Sequence, residues 1–326
     1  MTYRDALKQA LRDAMTADDS VFVIGEEVGR YGGAYGVTKG LYEEFGADRL
    51  LDTPISEPAI VGAAVGAAMS GLRPVAELMY VDFIGMTMDQ LGNQAAKIRY
   101  MFGGQTGVPM VLRTQGGTGR SAGAQHSQSL EAYVMHTPGL RLAMPATVAD
   151  AYHLLRDALR QPDPVVFIEH KALYTLKEDV DLTASAPEWG KAAVRRCGDD
   201  LVIVTYSRQV HNALKAASGL AERGIETTVI DLRTLNPLDF DTVREHVERA
   251  GRVMVLSEGV MTCGVAAELS ARIHEECFDF LAEPVIRVAG EDIPISVSVQ
   301  LETNSVPTAE LVQEIAERIL SERAPA

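Results

Sequence analysis

The sequence predicts an α/β protein built on mostly parallel sheets, and three observations carry that prediction. Apolar runs of strand length at 21–24, 73–81, 108–113, 140–144 and 164–168 are continuous rather than alternating, as in strands buried on both faces. Helix-length segments at 4–16, 86–100 and 147–160 lie between them. The rhythm restarts at Leu201-Val202-Ile203-Val204, after a stretch at 173–188 where charge and turn residues rise and periodicity fades. Residues 1–175 are therefore read as a first domain, 176–192 as a linker and 193–326 as a smaller α/β domain. Its further strands are expected at 226–232, 252–256 and 284–288.

Taken in order, the opening helix at 4–16 leads to the strand at 21–24, which ends in Gly25. Gly32, Gly33, Gly36 and Gly40 then mark a loop lying close to something else. A helix is expected to begin near Pro58, because proline is tolerated in a first turn and breaks an interior one. Gly62 and Gly66 recur at a spacing of four with Ala63, Ala67 and Ser70 beside them, a nearly bald face suited to close backbone contact. After the strand at 108–113, Gln115-Gly116-Gly117-Thr118-Gly119-Arg120 forms a turn-rich loop into the His126 region. In the second domain Asn236-Pro237, followed by Asp239, reads as a helix start with Asn as cap and Pro at the first helical position.

Composition narrows the function. The chain has 326 residues, 47% hydrophobic and 23% charged, with a formal net charge of −15, and no basic stripe offsets that charge; nucleic-acid binding is not expected. Cys197, Cys263 and Cys277 are too few and scattered for a disulfide framework or a thiolate metal site. They are read as small buried hydrophobes in a cytoplasmic protein. No signal-like apolar run opens the sequence, and the run at 59–72 is too short and glycine-rich to span a bilayer, so no membrane role is expected.

Two residues carry candidate chemistry. Glu57 sits at a strand-to-helix junction, where open α/β sheets bind ligands. It is either a first-turn acid favoured by the helix N–H groups or a desolvated carboxylate that shares a proton with a heterocycle. His126, in Gly123-Ala124-Gln125-His126-Ser127-Gln128, is either a turn histidine or a donor to an oxyanion or phosphate. Ser127 lacks a Gly-x-Ser-x-Gly context, which excludes hydrolase chemistry of that kind. His136, His153, His170, His211 and His274 form no metal-ligand spacing, and neither a phosphate loop nor a dinucleotide fingerprint is present.

At these residues the chain resembles the beta subunits of the thiamine-diphosphate-dependent 2-oxo acid dehydrogenases, of the transketolase-like superfamily. The resemblance runs through Gly25-Glu26-Glu27-Val28-Gly29, Asp52-Thr53-Pro54-Ile55-Ser56-Glu57, Gly71-Leu72-Arg73-Pro74-Val75, Lys97-Ile98-Arg99-Tyr100, Gln125-His126-Ser127-Gln128 and His136-Thr137-Pro138-Gly139-Leu140. Pro164-Val165-Val166-Phe167-Ile168-Glu169 and Lys171-Ala172-Leu173-Tyr174 continue it, so that it covers essentially the whole chain. It implies a pyrimidine-binding first domain and a transketolase C-terminal-like second domain.

The resemblance further implies that Glu57 hydrogen-bonds N1′ of the thiamine diphosphate aminopyrimidine, with Met79 and Phe83 packed on that ring. His126 would serve substrate binding, proton transfer and reductive acylation of a lipoyl group. Met110, Ala158, Leu159, Gln161 and Asp163 match a loop that holds potassium through backbone carbonyls, although family members often carry aspartate and asparagine where this chain has Gln161 and Asp163. Gly198-Asp199-Asp200 is a poor imitation of the Gly-Asp-Gly magnesium motif, with no asparagine pair after it. Magnesium and diphosphate are then expected on an alpha subunit in an α2β2 heterotetramer, with a lipoyl-bearing acyltransferase core as a further partner. Near the end, Gly290-Glu291-Asp292-Ile293-Pro294 resembles the family's last turn, and Ser296 and Val297 depart from it. Pyruvate is the leading substrate on this reading, with acetoin or a branched-chain 2-oxo acid as alternatives. A stand-alone transferase and a non-catalytic assembly subunit are the rival classes.

Overall fold

A computed structural model of the chain describes residues 1–321; residues 322–326 of the expected second domain lie outside the described part. The chain divides into two compact units, one of residues 1–117 and 133–189, the other of residues 118–132 and 190 onward. The segment 118–132, expected within the first domain by chain order, thus clusters with the second. The expected linker is divided as well, with 176–189 belonging to the first unit.

The first unit opens with α1 (Tyr3–Ala17), whose Thr2 cap accepts the Asp5 N–H at 3.1 Å while its hydroxyl donates to the Asp5 carboxylate at 2.6 Å. Then come β1 (Val21–Gly25), α2 (Leu41–Phe45), β2 (Leu50–Asp52), α3 (Glu57–Met69) and β3 (Arg73–Leu78). After them come α4 (Ala96–Met101), β4 (Val111–Gly116), α5 (Glu131–Met135), β5 (Arg141–Ala143), α6 (Val148–Ala158) and β6 (Val165–His170). Within this unit the strands run β5-β6-β4-β3-β1-β2, and every one of these pairings is parallel. One face carries α1 and α6, whose Leu7, Leu11, Ala151 and Leu155 pack in a single core with Val23, Val75, Val111 and Val165 of the sheet. Each of these leucines and valines contributes roughly 1.5–3 kcal/mol by leaving water.

Three local readings change. The strand expected at 73–81 stops at Leu78, because Tyr80 turns the chain with φ 73°. The helix expected at 86–100 is instead a 3-10 turn (Val81–Thr87), a π-helical segment (Asp89–Ala95) and then α4. The strand expected at 108–113 runs Val111–Gly116, because Arg113 and Gln115 find buried partners inside the sheet and do not end it. On α3, a side chain added at Gly66 would meet nothing within 4 Å, whereas one at Gly62 would touch Gln90 at 3.4 Å, so among the described residues the bald face is open at Gly66 and covered at Gly62.

The second unit contains β7 (Ala193–Arg196), β8 (Leu201–Thr205), α7 (Gln209–Ala221), β9 (Thr227–Asp231), β10 (Thr234–Asn236), α8 (Phe240–Ala250), β11 (Val253–Val260), α9 (Val265–Cys277), β12 (Ile286–Gly290), α10 (Val299–Asn304) and α11 (Ala309–Ser321). Five of these strands form a sheet of order β12-β11-β8-β9-β7, in which only β7 is antiparallel to its neighbour. Leu201, Ile203, Ala213, Leu220, Val229, Met254, Leu256 and Val312 make its core. The chain leaves β8 to one side through α7 and reaches the other side through α8, so the topological switch point of this sheet lies between β8 and β11.

The cap of α8 is Asp239 and not Asn236: its carboxylate accepts the Thr242 hydroxyl at 2.7 Å, and Asn236 closes β10. Cys277 is buried as expected, whereas Cys197 and Cys263 are exposed, since both fall in turns at strand and helix boundaries. Among the described residues no helix is long and apolar enough to cross a membrane.

Candidate functional site

Glu57 is the first residue of α3, with Pro58 inside the first turn. The turn before it is tied down: the Asp52 carboxylate accepts the Gly29 N–H at 2.6 Å, and the Thr53 N–H donates to the Gly25 carbonyl at 3.0 Å. Glu57 is only 7% exposed, and its carboxylate makes no hydrogen bond among the described residues. Beside it lies Glu26, also buried, whose pKa is pushed up by burial and then by the carboxylates of Glu57, Glu27 and Glu77. A buried acid with an open hydrogen-bonding edge is suited to a ring nitrogen that can carry a proton.

Met79 and Phe83 flank the sharp turn after β3, and both are half-buried. The bend rests on Tyr80, a non-glycine residue at positive φ, which costs of order 1–3 kcal/mol and needs external support. That support is visible. The Tyr80 N–H donates to Gln115 Oε1 at 3.2 Å, the Phe83 N–H donates to the Tyr80 carbonyl at 3.2 Å, and the Tyr80 ring meets Tyr35 edge-on at 6.2 Å. The helix begun by Glu57 packs on β3 and on the Val81–Thr87 turn, which brings the three expected cofactor residues to one end of the sheet.

Beneath the turn lies a network that sequence reading missed. Arg113 is fully buried; its Nε and Nη2 donate to the two oxygens of Glu169 at 2.7 and 2.8 Å, and its Nη1 donates to Glu77 at 2.7 Å. Tyr174 donates to Glu169 at 2.6 Å, and Gln115 donates to Glu77 at 3.3 Å. Burial works against the charge on Arg113, and the Glu169 and Glu77 carboxylates overcome it, holding the guanidinium above its ordinary pKa. The signal was available: three apolar strands each carry one charged residue near the carboxyl end, with signs that match.

His126 lies in the second unit, half-buried, its N–H donating to the Gly123 carbonyl at 3.2 Å. The segment around it is anchored by acids of that unit. Glu258 accepts the Thr118 N–H at 2.7 Å, and Glu302 accepts the Gly119 and Ser121 N–H groups at 2.9 and 3.0 Å. Buried Glu131 accepts the Tyr206 hydroxyl at 2.6 Å. Burial pushes the Glu131 carboxyl up, against the Tyr206 hydrogen bond and with Glu258 adding to the rise. An acid raised in the folded state contributes most below its unfolded pKa and loses that contribution as pH rises through the folded value. Glu131→Gln, which stays neutral and can still accept from Tyr206, is therefore expected to flatten the fall in thermal stability between mildly acidic and neutral pH. Calorimetry across that range checks it, and parallel curves for the two proteins would overturn it.

The residues expected to hold potassium gather at the end of α6 and the start of β6, where the carbonyls of Met110, Ala158 and Leu159 each accept a hydrogen bond. The Leu159 carbonyl accepts from Arg73 Nη1 at 2.8 Å, and the Met110 carbonyl accepts the Val165 N–H at 3.0 Å. The Ala158 carbonyl accepts the Gln161 N–H at 3.2 Å, Gln161 Oε1 accepts from Arg141 at 2.8 Å, and Asp163 pairs with both Arg99 and Arg141. Three guanidinium groups thus stand at this loop, Arg73 on the Leu159 carbonyl and Arg99 and Arg141 on the side chains of Gln161 and Asp163. The carbonyls of Gln161 and Asp163 accept no hydrogen bond among the described residues, and no step is derived through a cation. Gly198-Asp199-Asp200 is likewise a structural turn: the Gly198 N–H donates to Thr228, Asp199 pairs with Arg249, and the Asp200 carboxylate accepts the Glu226 N–H.

Known proteins match this chain over nearly its whole length. The transketolase pyrimidine-binding domain matches residues 1–177, and the transketolase C-terminal domain matches residues 190–312. The beta subunit of acetoin:2,6-dichlorophenolindophenol oxidoreductase from Cupriavidus necator is 45% identical over 325 residues, covering 97% of this chain and 96% of that one. This chain belongs to the family of 2-oxo acid dehydrogenase beta subunits, in the transketolase-like superfamily. A pyruvate dehydrogenase E1 component subunit beta from Rhizobium meliloti is 43% identical, covering 97% of this chain and 69% of its own length. A mitochondrial pyruvate dehydrogenase E1 component subunit beta-1 from Arabidopsis thaliana is 44% identical, with coverages of 98% and 89%. A solved split-gene transketolase, described as an inactive beta4 tetramer, shares the fold of this beta subunit at TM-score 0.81 and 20% identity, covering 98% of each chain.

Proposed function

We propose that this beta subunit supplies the proton-handling half of a thiamine-diphosphate site in an acyl-transferring dehydrogenase, with acetoin as the first substrate to test and pyruvate the second. The buried, unbonded carboxylate of Glu57 at the mouth of α3 carries this reading. When bound, thiamine diphosphate supplies an electron sink for cleavage of the bond next to the substrate carbonyl. Glu57 holds a proton at N1′ of the aminopyrimidine, and Met79 and Phe83 wall that ring so its amino group keeps a fixed direction. Orientation of this kind is worth roughly 7–11 kcal/mol in the best intramolecular cases. His126 moves a proton at the oxygen of the substrate or of the acyl group leaving for lipoyl. Acetoin is tried first because the acetoin enzyme's subunit is 45% identical over nearly the whole chain; pyruvate dehydrogenase beta subunits follow at 42–44% with comparable coverage of this chain, so the assay decides between them.

The diphosphate and its magnesium are assigned to an alpha subunit, because no Gly-Asp-Gly followed by asparagines stands in this sequence. The open Gly66 face and the exposed Ile55, Met86 and Tyr100 of the same unit suit close packing against that partner. The test is to co-purify the chain with candidate alpha subunits and assay acetoin, pyruvate and branched-chain 2-oxo acids with thiamine diphosphate and magnesium. Turnover is expected from the complex and not from this polypeptide alone; efficient turnover by the isolated chain would sink the split-site reading. The ranking of kcat/KM values decides the substrate.

A further inference from the structure

The backbone just before His126 forms a concave anion site, and the chain fills it with its own carboxylate. Gly119 and Ser121 take positive φ, 93° and 51°, which turns the N–H groups of residues 119, 120 and 121 toward one point. Glu302 stands there, 3% exposed: Oε1 accepts Gly119 and Arg120 at 2.9 and 3.4 Å, and Oε2 accepts the Ser121 N–H at 3.0 Å and its hydroxyl at 3.3 Å. The acid is itself held, since its own N–H donates to Ser298 and its carbonyl accepts the Ser305 hydroxyl at 2.7 Å. The far end of the segment is held by Glu131 with Tyr206, while Glu258, which takes the Thr118 N–H at the near end, also accepts the Ser129 hydroxyl at 3.5 Å. His126 lies between the two anchorages, its N–H bonded to the Gly123 carbonyl at 3.2 Å.

We propose that Glu302 is a positioning residue for His126: by clamping the N–H groups of 119–121 it sets where the imidazole is presented, and so governs the proton step given to His126. The proposal rests on the role of His126 advanced above. A carboxylate is the group this site needs, because hydrogen bonds to an anion are roughly twice as strong as neutral ones and here several converge. Glu302→Gln keeps the size but turns an amide NH₂ toward N–H donors, so the clamp opens without a cavity. Gly119→Ala disturbs the same site from the loop side, through its positive φ, and leaves α10 untouched.

Two readouts test it. In the full chain, tryptic cleavage after exposed Arg120 and amide exchange of 118–122 are expected to rise about tenfold in both variants. In the reconstituted complex, kcat for acyl transfer is expected to fall about tenfold, with KM nearly unchanged. Glu302→Gln should cost nothing further in a His126→Ala background, because residues acting through one another are not additive. A loosened loop with wild-type kcat would overturn the positioning role while leaving His126 its function. Additive losses would overturn it too, by showing a merely structural effect. Wild-type turnover in His126→Ala alone would remove the His126 reading and the proposal with it. Should Glu302→Gln not fold, Gly119→Ala decides by the same measurements.

Discussion

Glu57→Gln is expected to lower turnover of the assembled enzyme by about 10²–10⁴-fold, the range attributed to a positioned proton-transfer group, with KM for substrate little changed. Glutamine fills the same space and still offers an acceptor oxygen, but it cannot exchange a proton with a ring nitrogen. The fold should tolerate the change, because the Glu57 carboxylate makes no hydrogen bond among the described residues that the amide would break. Removing one carboxylate also relieves the repulsion on neighbouring Glu26, whose raised pKa should move down toward the ordinary range. The decisive measurement is hydrogen–deuterium exchange at the thiazolium C2 of bound cofactor, read by NMR after acid quench. Slow exchange with intact assembly supports the role; wild-type exchange with low turnover would assign Glu57 to a later event.

Much of the frame was legible because apolar strand runs report burial directly. Leu201 to Thr205 and Val165 to His170 fell close to where the pattern placed them. Glu57 was legible because Pro58 marks a first helical turn, so the preceding acid had to stand at a helix mouth. What escaped was set by partners far away in sequence. Arg113 looked like the end of a strand, and only the register with Glu77 and the diagonal reach to Glu169, 56 residues on, reveal it as an interior charge. The segment 118–132 followed chain order into the first domain, yet its N–H groups find their acceptors at Glu258 and Glu302, 140 and 183 residues away. The 3-10 and π-helical stretch after Tyr80 hid behind ordinary helical periodicity, because hydropathy repeats do not distinguish helix types whose turns differ by one residue.

Arg113→Met should bring the largest stability loss, about 3–5 kcal/mol, because it strands two buried carboxylates and not because one ion pair disappears. For a unit of this size that corresponds to a fall of roughly 10 °C in its unfolding transition. The pH dependence identifies the cause. Burial already pushes the Glu169 carboxyl up and Arg113 holds it down, so without the guanidinium that carboxyl rises further, and the variant is least impaired below the ordinary carboxylate range and worsens as pH rises. Calorimetry from mildly acidic to neutral pH should show that widening gap, and a constant deficit would point to lost packing instead. Arg113→Lys should rescue little, since a single ammonium cannot reproduce the fork on Glu169 together with the bond to Glu77. Adding Glu77→Gln and Glu169→Gln to Arg113→Met removes the stranded charges and should recover most of the stability. Activity should not return with it. Gln115 takes its orientation from Glu77 and in turn holds the Tyr80 N–H, so the bend that sets Met79 and Phe83 depends on this network even when the fold does not. Full activity in the neutral triple variant would separate the network from the site and leave it a purely structural device.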